Sequence, residues 1–201
     1  MDASDSKDLR VRKTLTAIRE AFAEMLLEMP YERITVTELS KRASINKKTF
    51  YRHYPVLDDL LREMQLSFAT PFVQLTSGLR YPDDVDAITR EFLIYSSQQG
   101  QLYDAVVTSG MHEEILDHLI EEMGTERLNG CQPPDGWSEK EWSLYISHVN
   151  YSQVHYYKQW VRDGREVPVN RMVALGVRLI ADGALSKKAW SSAARFSVSL
   201  D

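Results

Sequence analysis

Apolar residues recur along this chain at spacings of three and four, and no segment alternates apolar and polar positions as a half-buried strand would. The first stripe is Val11, Leu15, Ile18, Phe22, Met25, Leu26 and Met29, with Arg12, Lys13, Arg19, Glu20 and Glu24 left on the other side. That pattern predicts one long amphipathic helix packed on a core. The polar Met1 to Arg10 stretch ahead of it reads as a loose tail. Val36, Leu39, Ser40 and Ala43 then share one face of a short helix, and Phe50 and Tyr54 share one face of another. Further on, Val56 to about Thr76 predicts a linking helix with Pro71 as a kink, and Pro82 to Gln98 a helix with Val85, Ile88, Phe92 and Tyr95 inward. Gln101 to Thr108 and Met111 to Met123 follow, the second with Ile115, Leu116, Leu119 and Ile120 inward. Asn129 to Gly136 is the clearest loop, and Trp137 to Arg162 and Val169 to Leu185 are the last two helices. The expectation is an all-α chain: a flexible tail over 1–8, a small helical domain over 9–55 and a larger helical domain over 56–201.

The small domain carries the most specific signal, over Thr35 to Leu61. Thr35 is a good N-cap, because its hydroxyl can accept from an amide the helix leaves unpaired, and Glu38 three residues on suggests a capping box. Ser44-Ile45-Asn46 reads as a tight turn, with Ile45 as an apolar plug and Asn46 capping the next helix. Lys47 to Tyr54 is then a short basic helix, stopped by Pro55. With Phe50 and Tyr54 inward, Lys47, Lys48, Thr49, Tyr51, Arg52 and His53 are left for the outer faces. That is the layout of a helix-turn-helix whose second helix enters the DNA major groove. The expected DNA contacts are Thr35 and Thr37 at the start of one helix and Lys47, Lys48, Thr49, Tyr51, Arg52 and His53 on the next. Lys48 and Thr49 are placed to reach bases, and Lys47, Tyr51 and His53 to reach phosphates.

Charge localises this reading. From Lys41 to Arg52 there are five basic residues and no acid, whereas the whole chain has net charge −5. Residues 1–62 hold 12 Lys and Arg against 10 Asp and Glu; the remainder holds 12 against 19. Such a chain would touch phosphate with one module and not coat nucleic acid along its length. The chain is 43% hydrophobic and 26% charged, the composition of an ordinary soluble domain pair. No apolar run is long enough for a membrane span, and the acidic N-terminus lacks the apolar stretch of a secretory signal. The single Cys131 suits a reducing compartment, so a cytoplasmic protein is expected, associated with the bacterial nucleoid when bound to DNA.

Val11 to Leu61 resembles the DNA-binding domain of the TetR/AcrR transcriptional regulators. The resemblance rests on the amphipathic first helix, the Met29-Pro30-Tyr31 turn, the Thr35-Val36 pair opening the second helix and Tyr51-Arg52-His53-Tyr54 closing the third. It implies a homodimeric, ligand-responsive regulator, usually a repressor. Two positions depart from the family: Ser44 stands where glycine is usual in the turn, and Leu57, followed by Asp58 and Asp59, stands where a phosphate-contacting lysine is frequent. The segment Tyr156-Tyr157-Lys158-Gln159-Trp160-Val161-Arg162-Asp163-Gly164 resembles the DhaS-like branch, which permits a helical co-regulator acting through a protein partner as the alternative.

The family's dimers pair the last two helices of each subunit. Trp142, Ile146, Val149, Tyr156 and Trp160 form one stripe, and small residues such as Gly176 would let a second helix approach. The expected interface is Tyr157, Trp160, Met172, Leu175, Gly176 and Leu179, pairing with its own copy. Tyr95, Tyr103, Trp142, Tyr145, His148 and Tyr151 are candidates to line a pocket for an unidentified small organic effector. No cofactor is expected. No nucleotide-binding glycine loop, nucleophile elbow or His-Glu-x-x-His is present, so an enzyme is not expected. His112, Glu113, Glu114 and His118, and the pair His148 and His155, are not expected to hold a metal.

Overall fold

The structure, a computed structural model, describes residues 3–108 and 133–182. The helix expected over Met111 to Met123 with its His and Glu residues, most of the loop from Asn129, Cys131, and the residues beyond Asp182 lie outside that range. Among the described residues the regular structure is helical throughout. The helices are α1 (Ala3–Glu28), α2 (Val36–Arg42), α3 (Lys47–His53), α4 (Leu57–Leu75), α5 (Val85–Gln98), α6 (Gln101–Thr108), α7 (Glu139–Arg162) and α8 (Val169–Val177). A 3-10 turn, Tyr31–Arg33, separates α1 from α2, and a π turn, Arg178–Asp182, continues α8. No described helix is long and apolar enough to cross a membrane.

Helix α1 begins at Ala3, so the helix extends into the stretch read as a loose tail. Contacts group the chain into two units: residues 1–70 with 99–115, and residues 71–98 with 116–201. The division falls at Pro71, inside α4, and not at the junction of residues 55 and 56. The physical reason is burial. Leu60 and Leu61 of α4 are fully enclosed with Ile18, Phe22, Met25, Leu39 and Phe50, and Val106 of α6 joins the same core. The apolar face of α4's first turns and α6 on its flank therefore belong to the first unit.

In the second unit α5 packs on α7 and α8. Val85, Ile88 and Leu93 of α5, Val149 and Tyr157 of α7 and Met172 of α8 are almost wholly buried. Polar groups enter this core with partners. Gln153 Nε2 donates to the Thr89 hydroxyl at 2.9 Å, and the Tyr157 hydroxyl donates to the Ser96 carbonyl at 2.8 Å. Each bond satisfies a group whose burial would otherwise be costly. Helix α7 starts on a full capping box: Ser138 Oγ accepts the amide of Glu141, and the Glu141 carboxylate accepts the amide of Ser138.

Candidate nucleic-acid interface

The geometry of α2 and α3 follows from their caps and plugs. Thr35 Oγ1 accepts the Glu38 amide at 3.2 Å, which opens α2. Glu38 does not complete the box; its carboxylate lies 3.9 Å from Arg42 Nε. At the other end Ser44 takes φ +53°, a left-handed conformation that lets the chain reverse. Asn46 Oδ1 then accepts both the Thr49 amide, at 2.8 Å, and the Thr49 hydroxyl, at 3.0 Å. Phe50 is fully buried and Tyr54 nearly so, their rings 5.6 Å apart, and Ile45 packs against the same core. These inward anchors fix which side of α3 is left outside.

Lys47, Lys48, Tyr51 and Arg52 are exposed on α3, as are Thr35 and Thr37 at the start of α2. Tyr51 stands edge-on to Phe50, with their centroids 5.6 Å apart. Thr49 and His53 are only half-exposed. Thr49 is held by its bond to Asn46, and His53 Nε2 is buried without a hydrogen-bond partner among the described residues. Arg42, part of the basic run, is turned away to Glu28 of α1. That pairing draws the Glu28 carboxyl below its ordinary value.

The acids at the start of α4 also have partners. Asp59 Oδ2 accepts the Val56 amide at 3.2 Å, closing the turn between α3 and α4. Asp58 accepts the Tyr31 hydroxyl, and burial, reinforced by that carboxylate, pushes the Tyr31 phenol well above its ordinary value. In the next turn the Tyr54 hydroxyl donates to both oxygens of Glu63, which also receives Arg19 of α1. Burial and Glu63 push the Tyr54 phenol up to about 12. The roles of Glu63 and Arg19 escape a sequence reading, because both are ordinary polar positions on helix faces.

Comparison with known proteins points the same way. No family model matches the chain. A 58-residue segment is 36% identical to an uncharacterized HTH-type transcriptional regulator of Bacillus subtilis, YxbF; it spans 28% of this chain and 15% of that protein. The crystal structure of a TetR transcriptional regulator from Streptococcus agalactiae superposes with TM-score 0.61 at 21% identity, over 88% of this chain and 98% of that one. The chain has the TetR fold. A TetR-like regulator from Rhodococcus sp. RHA1, with TM-score 0.49 at 16% identity over 86% and 93% of the two chains, and the dihydroxyacetone kinase operon activator DhaS, with TM-score 0.45 at 14% identity over 85% and 96%, are looser likenesses that add nothing to it.

Within this TetR fold, four of the six residues expected at a subunit interface are turned inward. Tyr157 is fully buried and bonded to Ser96 and Arg165; Trp160 donates its indole N–H to the Val167 carbonyl at 2.8 Å; Met172 is 1% exposed. Gly176 faces Leu93 and Tyr156 of its own chain. Small size at residue 176 therefore serves the packing of α8 on α5 and α7. Leu175 and Leu179 do lie outside, 48% and 61% exposed. With them on the surface is a stripe of α7 comprising Leu144, His148, His155 and Gln159. From Trp142 to Val161 the one charged residue is Lys158, which is buried, so that stripe carries no formal charge.

The six residues expected around an effector fall in both units. Tyr103 sits in the first unit against Phe68, and His148 is on the exposed stripe. Tyr95 packs on Phe72, and Tyr151 is half-exposed. Trp142 and Tyr145 do meet, stacked at 5.2 Å and 8°, with Trp137 edge-on to Tyr145. Burial pushes the Tyr145 phenol well above its ordinary value, with Tyr81 and Asp83 adding to it. Trp142 Nε1 is buried without a hydrogen-bond partner among the described residues. Among the described residues no cluster of His, Cys, Asp and Glu could hold a metal ion.

Proposed function

We propose that this chain is a sequence-specific DNA-binding transcriptional regulator that reads an inverted-repeat operator as a dimer, and that it acts as a ligand-responsive repressor. One observation carries the DNA-binding part. Helix α3 buries Phe50, caps on Tyr54 and turns Lys47, Lys48, Tyr51 and Arg52 outward, with no acid in the helix. A cationic, hydroxyl-bearing face on a helix packed on α2 suits phosphate and base edges together.

The dimer part is supported by the uncharged stripe of α7 with Leu175 and Leu179 of α8 beside it. The α7 stripe holds no Asp, Glu, Lys or Arg, so it can meet its own copy without like-charge repulsion. The effector part is supported by Trp142, whose buried indole N–H has no acceptor among the described residues and would be satisfied by an acceptor on a bound molecule.

The test is selection from random duplexes, followed by fluorescence-anisotropy titration of the enriched sequence at several salt concentrations. Steep loss of affinity with salt is expected, and Lys47→Ala should weaken all sequences alike and flatten the slope by about one unit. A pool without enrichment would reject the DNA-binding reading and favour the co-regulator acting through a protein partner.

A further inference from the structure

We propose that Glu63 is a positioning residue for DNA recognition, holding the end of α3 in place from α4 without touching the duplex. The proposal rests on the DNA-binding reading above. Helix α3 has seven residues, fewer than two full turns, so its own hydrogen bonds do little to set its orientation. Its direction is set by what its side chains grip. Phe50, at mid-helix, is buried on all sides and fixes how deep α3 sits. One such anchor leaves rotation about it free. The second anchor is Tyr54, the C-cap, whose hydroxyl lies 3.2 and 3.1 Å from the two oxygens of Glu63.

Glu63 is itself held. Arg19 Nε of α1 donates to Oε1 at 2.5 Å, so one carboxylate on α4 joins α1 to the end of the recognition helix. The two contacts differ in weight. The Arg19 and Glu63 side chains are 47% and 41% exposed, and an ion pair so placed contributes little by itself. Tyr54 is 4% exposed, so its hydroxyl has little recourse to water if Glu63 is removed. Arg19 orients the carboxylate, and the carboxylate orients Tyr54. Lys47, Lys48, Tyr51 and Arg52 project from the same seven residues, so a small rotation about Phe50 would move all of them relative to the phosphates. Asp58 with the Tyr31 hydroxyl and Asp59 with the Val56 amide fasten the flanking segments to α4 in the same manner.

The experiment uses the full chain and the duplex that the wild-type protein enriches from a random pool. Tyr54→Phe, Glu63→Ala and Glu63→Gln are compared well below their melting midpoints, with helicity confirming that each is folded. Tyr54→Phe and Glu63→Ala should each lose about tenfold in affinity, and the double variant little more, because both remove one interaction. The slope of affinity against salt should stay at the wild-type value, since no phosphate contact is lost. Glu63→Gln, whose amide oxygen still accepts from Tyr54, should keep most of the affinity. Wild-type affinity in folded Tyr54→Phe overturns the proposal even if Glu63→Ala does not fold. A flattened salt slope also overturns it, because the pair would then act on phosphate directly. A wild-type pool without enrichment overturns the DNA-binding reading itself, and this proposal falls with it.

Discussion

Ser44 carries the helix-turn-helix turn at φ +53°, in a region where a side chain crowds the backbone. The residue is exposed, and its amide donates to the Lys41 carbonyl, which glycine would also do. Ser44→Gly should therefore stabilise the first unit by about 0.5–1 kcal/mol, the relief of strain exceeding the extra entropy of an unfolded glycine. A urea midpoint that falls would show that the Ser44 side chain contributes more than the structure records. Tyr54 gives a pH dependence whose sign is fixed. Its phenol titrates near 10 when unfolded and at about 12 in the fold, so the fold holds the proton more tightly. The associated stability is complete below pH 10 and is lost as pH rises through about 12. Tyr31 and Tyr145 are pushed in the same direction and add to it. Stability should drop over this range in the wild-type protein and less steeply in Tyr54→Phe; parallel curves would mean Tyr54 does not hold its proton.

At the scale of elements, helix existence is legible wherever apolar spacing is strong, as in α1, α5 and α7, and wherever capping chemistry is explicit, as with Thr35 and Asn46. The outer face of α3 follows from two inward residues, Phe50 and Tyr54, which leave one side exposed. Interaction partners are less legible, because spacing says that a face is covered but not by what. Gly176 illustrates this. Its small size implies a close neighbour, and a second subunit and the chain's own α5 leave the same mark in a sequence. In the fold a Cβ on Gly176 would stand 2.5 Å from Leu93 Cδ1 and 2.7 Å from Tyr156 Cε1. The Tyr156 ring is tied by its hydroxyl to the Met172 carbonyl, so Leu93 must give way. Gly176→Ala should gain about 1 kcal/mol of helix propensity yet lose about 2–3 to overpacking at so close a contact, for a net loss of about 1–2. Thermal melts should show it, and because Leu93→Ala removes the clash, the double variant should lose less than the sum of the two single losses. A more stable Gly176→Ala would mean that α8 has room the structure does not display. The domain boundary was hidden for a similar reason: α4 is one continuous helix in sequence, and only the burial of Leu60 and Leu61 assigns its first half to the first unit.

At the scale of the whole molecule, the proposed dimer must bring two α3 helices to one operator. Two such helices enter successive major grooves on one DNA face only when held about 34–36 Å apart, which requires a fixed dimer axis. The exposed uncharged stripe of α7 and the Leu175–Leu179 edge are where such an axis is expected. Leu144 and Leu179 are 72% and 61% exposed, so charging them should leave the monomer folded. A two-fold axis makes each substitution appear twice in one interface, so a carboxylate placed there is buried or set against its own copy. Leu144→Glu with Leu179→Glu should therefore give monomers in sedimentation at micromolar concentration, with unchanged helicity. Gly176→Ala should remain dimeric, because residue 176 faces inward. The monomeric variant would keep its α3 chemistry and its contact with one half-site, but lose the second half-site that a dimer binds without a further association cost. Its affinity for an inverted repeat should fall towards that for a single half-site, whereas the wild-type protein should prefer the repeat strongly. A double variant that remains dimeric and keeps that preference would place the axis on another face, and an operator without inverted half-sites would remove the need for an axis at all.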